Sequence, residues 1–209
     1  MSMDKKSDPA LRELTAVIIA GDATKASRIL KVSPELARAS FQHGATRAKA
    51  GEYFVGAIGR YIVAGDTALH IAAAAYGTEI AKALIAAGAD VHARNRFGDQ
   101  PLHAAARSHP GGILWNPAAQ GATIRLLIKA GADPNATNKR GVAALHVAVR
   151  TRSAPAVRTL IECGADPKRP NGNGSTPMLL ATLNTGKSGS GSAKAKAQQA
   201  EILALLGGR

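Results

Sequence analysis

A five-residue pattern recurs along the chain, each copy preceded by a glycine. Gly65 leads Asp66-Thr67-Ala68-Leu69-His70, Gly98 leads Asp99-Gln100-Pro101-Leu102-His103, Gly141 leads Val142-Ala143-Ala144-Leu145-His146, and Gly174 leads Ser175-Thr176-Pro177-Met178-Leu179. These glycines stand 33, 43 and 33 residues apart. A second marker, Gly88-Ala89-Asp90, Gly131-Ala132-Asp133 and Gly164-Ala165-Asp166, steps by 43 and then 33, so the same period carries one ten-residue insertion. Two independent markers in one register predict a stack of similar units, each burying its apolar face on the next.

Within a unit, Ala68 to Ala75 and Thr78 to Ala87 read as two short helices separated by Gly77, with Gly88 stopping the second as a glycine cap. Small residues such as Ala72, Ala73, Ala104, Ala105 and Ala148 let helix backbones approach closely. Ile80, Leu84, Ile85, Ile124, Leu127, Ile128, Val157, Leu160 and Ile161 fill the space between layers. Such a core needs few large rings, which suits a composition 45% hydrophobic but only 3% aromatic. On its Thr-Pro-Leu-His-like helix starts and its unit of a turn and two helices, over about residues 64–206, the chain resembles the ankyrin repeat family, in a bacterial-type form with insertions between helices. The resemblance implies an all-α solenoid of about five helix-turn-helix units with extended or hairpin-like turns between repeats. It also implies a non-catalytic binding role, and a structural use for the motif histidines.

The expected organisation is a single domain over 1–209. Residues 8–40 form a degenerate N-terminal capping repeat, with Leu11, Leu14, Val17, Ile18, Ala26, Ile29 and Leu30 at helical spacing and charged residues for its outer face. An inserted connector, 41–63, leads to repeats at 64–96, 97–138 and 139–171, and 172–209 closes the stack. Two further insertions fall at Ser108 to Gln120 and at Thr185 to Lys196, the latter rich in Gly, Ser and Lys and so flexible by composition. In the connector, Glu52 to Gly59 reads as a short helix followed by an extended Arg60 to Ala64, or the two segments pair as a hairpin.

Little in the chain suggests catalysis. Equivalent histidines on stacked layers, ~8–10 Å apart, cannot share a zinc with bonds of ~2 Å, so His70, His103 and His146 are expected to hydrogen-bond in adjoining turns and lock one repeat to the next. Ala181 to Ser188 satisfies a relaxed phosphate-loop pattern, yet it follows a helix where that loop requires a strand. Cys163 sits at a helix C-terminus, where the dipole disfavours a thiolate. No nucleophile, carboxylate pair or metal cluster stands at persuasive spacing, so the reading is not an enzyme, with no cofactor and no metal.

Charge says more. Lys and Arg total 27 against 14 Asp and Glu, a net +13, of which residues 101–209 carry +10. Basic residues fall at the turns joining repeats, and five of seven aromatics (Phe41, Tyr53, Phe54, Tyr61 and Trp115) fall in two insertions. The expected function is protein binding to a partner of acidic character, through Tyr53, Phe54, Arg94, Arg96, Phe97, Arg107, Trp115, Lys139, Arg140 and Arg150. The alternative is nucleic-acid binding along the basic edge, with aromatic stacking. No apolar run approaches the ~20 residues that span a bilayer. The charged start, Met1 to Pro9, lacks the apolar stretch of a secretory signal, and one cysteine fits a reducing compartment. The expectation is a cytoplasmic protein without membrane contact.

Overall fold

The computed structural model describes residues 7–108, 115–183 and 193–207. Residues 109–114 of the second insertion lie outside that set, as do 184–192, where the glycine- and serine-rich run and Gly186-Lys187-Ser188 fall. Among the described residues ten helices form five pairs: α1 (Ser7–Ala20) with α2 (Ala23–Val32), α3 (Ala68–Ala74) with α4 (Thr78–Ala86), α5 (Pro101–Ala106) with α6 (Pro117–Lys129), α7 (Ala144–Arg150) with α8 (Ala154–Glu162), and α9 (Pro177–Thr182) with α10 (Ala193–Gly207). First helices pack on first helices from α1 to α9, and second helices on second from α2 to α10, giving two layers. The fold is thus the all-α solenoid that the repeat register implies.

Helix boundaries follow from local chemistry. Asp22, Asn116, Ser153 and Thr176 each accept a hydrogen bond from a backbone amide three residues on, supplying an acceptor to otherwise orphaned donors. Proline opens α5, α6 and α9, where its missing amide costs nothing. Between the layers, Leu69, Ile80, Leu84, Leu102, Ile124, Leu127, Leu145 and Leu160 are fully buried with Ala72, Ala73, Ala105 and Ala148, and one apolar cluster runs from Leu11 of α1 to Leu206 of α10.

The connector before α3 is a hairpin, which decides between the two sequence readings. Strand β1 (Phe54–Val55) pairs antiparallel with β2 (Arg60–Tyr61), Phe54 facing Tyr61, across a 3-10 turn at Gly56–Ile58. It is anchored rather than free. Phe41 is buried and exchanges backbone bonds with Gly65 and Asp66, the Ala45 amide donates to the Ile62 carbonyl, and the Ile62 amide donates to the Tyr53 carbonyl.

Successive turns are stitched by one repeated backbone bond. The Arg96 amide donates to the Ala64 carbonyl at 2.8 Å, Lys139 to Phe97 at 3.1 Å, and Gly172 to Arg140 at 3.0 Å. Gly141 sits in this ladder with φ +67°, and a Cβ there would stand 2.5 Å from the Gly172 nitrogen. Gly174 shares the left-handed conformation, φ +77°, but faces open space. Gly174→Ala should therefore cost about 1 kcal/mol from backbone strain alone. Gly141→Ala should cost at least about 1 kcal/mol more, because turn must move against turn as well. Urea unfolding followed by circular dichroism checks the difference; equal losses in the two variants would show that the close approach is unimportant.

Candidate functional site

The turns that form the candidate site are held by three asparagines that stand three residues before a repeat glycine. Asn95 Oδ1 accepts from the Phe97 and Asp99 amides, Asn138 Oδ1 from Arg140 and Val142, and Asn171 Oδ1 from Asn173 and Ser175. Their amide groups also reach back one repeat: Asn95 Nδ2 donates to Asp66 at 2.9 Å, and Asn138 Nδ2 donates to Asp99 at 2.7 Å. One residue type thus shapes a tip and ties it to its neighbour.

The histidines complete the lock. Nδ1 of His70, His103 and His146 accepts the backbone amide of Thr67, Gln100 and Ala143 at 3.1–3.2 Å, so Nε2 carries the proton. That Nε2 donates across the repeat boundary to the carbonyls of Asp99 and Val142 at 3.0 and 2.9 Å, and in His146 to the Arg169 carbonyl, in the turn that ends its own unit, at 3.0 Å. Burial, opposed in part by nearby acids and carbonyls, holds all three imidazoles below the ordinary value of 6.5, and protonating Nδ1 would also destroy its acceptor. Among the described residues no group of three His, Cys, Asp or Glu is placed to hold a metal.

Between the hairpin and the turn tips lies a cleft of about 350 Å³. Arg60, Tyr61 and Val63 line one side, and Asn95, Arg96, Phe97, Asp99 and Arg107 the other. Beneath it Asp66 is fully buried and accepts from Arg60 Nη2 at 3.0 Å, the Val63 amide at 2.9 Å and Asn95. Four hydrogen bonds to one carboxylate fix the hairpin against the second turn, and Arg60 Nη1 is left buried without a partner among the described residues. Arg60 is paired with Asp66, so Arg96 and Arg107 face the one remaining carboxylate, Asp99, and the cleft keeps a surplus of one positive charge. The Arg107 guanidinium is held below its usual value by desolvation first and then by the Arg60 charge, with Arg150 adding to the repulsion. Phe54, Tyr61 and Phe97 are 49%, 46% and 44% exposed; the first two rings lie 4.9 Å apart, and Arg96 covers the Phe97 ring at 4.7 Å.

Of the residues expected from the sequence, Arg96, Phe97 and Arg107 line this cleft, and Phe54 reaches it through its contact with Tyr61. The others are placed differently. Arg94 clamps two turns, donating to the carbonyls of Gly98 and Thr137 at 3.0 and 2.8 Å, and Lys139 Nζ donates to the Arg96 carbonyl at 2.9 Å. Tyr53 is half-buried against the core with Arg12 over its ring, and Trp115 is half-buried just before α6. Arg140 and Arg150 line a second cavity. Arg60 and Tyr61 are missing from the expected set because nothing in a two-residue strand marks which side chain turns inward. The asparagines carried a signal, their fixed offset from each repeat glycine.

A model of ankyrin repeats, three copies, matches residues 49–116 and 114–190. That is more than half of the chain, and the chain belongs to the ankyrin repeat family. Members of this family generally mediate protein–protein interaction and are generally non-catalytic. No curated protein matches the sequence. Among the described residues no helix is long and apolar enough to cross a membrane.

The histidine lock makes stability depend on pH. Because the folded values lie below 6.5, the unfolded chain binds more protons, the stabilisation is complete above about pH 6.5, and it is lost as pH falls. Each histidine protonated only in the unfolded state contributes a slope of up to about 1.4 kcal/mol per pH unit. Urea midpoints should decline from pH 7 to pH 5, and the three imidazoles should remain Nε2-protonated tautomers by nitrogen NMR. A rise in stability over that interval would contradict the assignment.

Proposed function

We propose that the protein is a non-catalytic binding module that receives an acidic segment of a partner protein in the cleft between hairpin and turn tips. The observation that carries this reading is the pairing of surplus guanidinium charge, Arg96 and Arg107, with exposed Phe97 and Tyr61 in one concavity. Arginine and aromatic side chains are the usual anchors of protein interfaces, and a basic cleft selects carboxylate-bearing partners by complementarity. The flanking hairpins α1–α2 and α9–α10 serve as end caps of this single domain, with the 41–63 connector as the arm that builds the cleft. With it goes a cytoplasmic setting, which the lone free Cys163 supports.

Nucleic-acid binding along the basic edge is favoured by the net charge of +13 alone. Arg94 and Lys139, which that edge requires, are already engaged by backbone carbonyls. Affinity capture from nuclease-treated lysate, followed by titration of the captured protein, separates the readings. Phe97→Ala and Tyr61→Ala should each weaken binding by about 1–2 kcal/mol, roughly five- to thirty-fold, and Arg96→Glu with Arg107→Glu should abolish it. Lys82→Glu, on the exposed side of α4, should leave it intact. Submicromolar binding to random oligonucleotides at physiological salt, with a steep salt dependence and no effect of the two aromatic changes, would overturn the proposal.

A further inference from the structure

Arg152 occupies the left-handed residue between α7 and α8, φ +57°, which Tyr76 occupies between α3 and α4, φ +56°. Tyr76 uses that place to donate its hydroxyl to the Arg107 carbonyl at 2.6 Å. Arg152 is only 6% exposed, and both of its terminal nitrogens, Nη1 and Nη2, are buried without a hydrogen-bond partner among the described residues. A guanidinium cannot shed its charge by losing a proton, so burial leaves a full positive charge that water screens little.

Arg152 lines a cavity of about 370 Å³ beside the last two repeats, with its terminal nitrogens set back from solvent. Arg140 and Arg150 line it as well, with Asn171 and Ser175 offering neutral donors while Gln199 Nε2 donates to the Ala181 carbonyl, and among the described residues no acidic residue lines it. The first cleft differs in this respect. There Asp99 is built in, whereas the equivalent position here is Ser175, and Val142 replaces the carboxylate that Asp66 and Asp99 present to the asparagine of the next turn. Three arginines around a concavity without an acid leave a counter-charge to be supplied from outside.

We propose that this cavity binds the phosphoryl group of a small phosphate monoester. A dianion suits the triple positive charge better than a single carboxylate, and the planar guanidinium fork of arginine matches phosphate oxygens two at a time. Arg140 and Arg150 supply those hydrogen bonds, while buried Arg152 supplies field through a medium of low dielectric without needing direct contact. Leu180, Leu183 and Ile202 give the cavity an apolar wall for the organic part, and its volume holds a phosphoryl group with a few carbon atoms. No residue lines both this site and the cleft at the hairpin, although the Arg150 charge also acts on Arg107 there.

The test uses the full chain, inorganic phosphate and glycerol 2-phosphate as probes, and sodium chloride at matched ionic strength as control. Both phosphates should raise the thermal midpoint and give saturable heats of binding, with the monoester tighter. Arg152→Met should raise the midpoint without ligand, by removing an uncompensated buried charge, and should lower phosphate affinity at least tenfold. Arg140→Gln and Arg150→Gln, which alter exposed side chains, should each lower affinity severalfold without changing the unliganded midpoint. Absence of any phosphate-dependent shift, a shift matched by chloride, or undiminished affinity in the three variants would overturn the proposal. A phosphoserine peptide binding more tightly than glycerol 2-phosphate would overturn the small-molecule assignment.

Discussion

Each repeat histidine is caught between two backbones. Nδ1 accepts the amide that opens its own helix, and Nε2 donates to a carbonyl of the following turn, so a single neutral ring sets the distance between successive repeats at His70 and His103 and holds the turn that ends its own unit at His146. The ladder from Arg96, Lys139 and Gly172 and the asparagine bridges to Asp66 and Asp99 act across the same boundaries. Apolar contacts between small helices supply most of the driving force, but they are non-directional. Directional bonds at the turns are what bring tip after tip into one line, and the cleft exists because of that line.

Several polar groups deep in the stack are satisfied in sets, although Thr15 Oγ1 and Gln100 Oε1 are buried without a partner among the described residues. Gln120 is fully buried, donating to the Ala105 carbonyl and accepting from the Ser153 hydroxyl, which joins α5, α6 and the start of α8. Asp66 gathers four hydrogen bonds and pins the hairpin. Against that background the unpartnered nitrogens of Arg60 and Arg152 stand out, since a buried donor left unpaired is expensive. Each borders a cavity, one at either end of the row of turns.

Much of the fold was legible because its signals are periodic. Two glycine markers in register define the repeats, and Thr67, Pro101 and Pro177 mark helix starts by elementary capping chemistry. The hairpin was not decidable, since strands of two residues are too short to show alternation and its anchoring rests on Phe41 and Asp66, which lie outside both strands. Candidate site residues were legible only in part. Aromatic counting cannot distinguish Tyr53, folded under Arg12, from Tyr61, left half in solvent. Arginine counting likewise cannot separate Arg94, which clamps carbonyls, from Arg96, which faces the cleft. Arg152 shares its place with Tyr76 at a fixed spacing, yet burial of a guanidinium runs against the ordinary pattern of sequence.

Amide hydrogen exchange on the native protein and on His103→Ala tests the interlock most directly, because it reads each turn separately. If the imidazole couples neighbouring repeats, the variant should lose protection on both sides of one boundary, at Phe97 to Gln100 and at Lys139 to Val142, while the turn held by His146 keeps more of its protection. Loss confined to α5, with Lys139 to Val142 exchanging as in the native protein, would contradict the account.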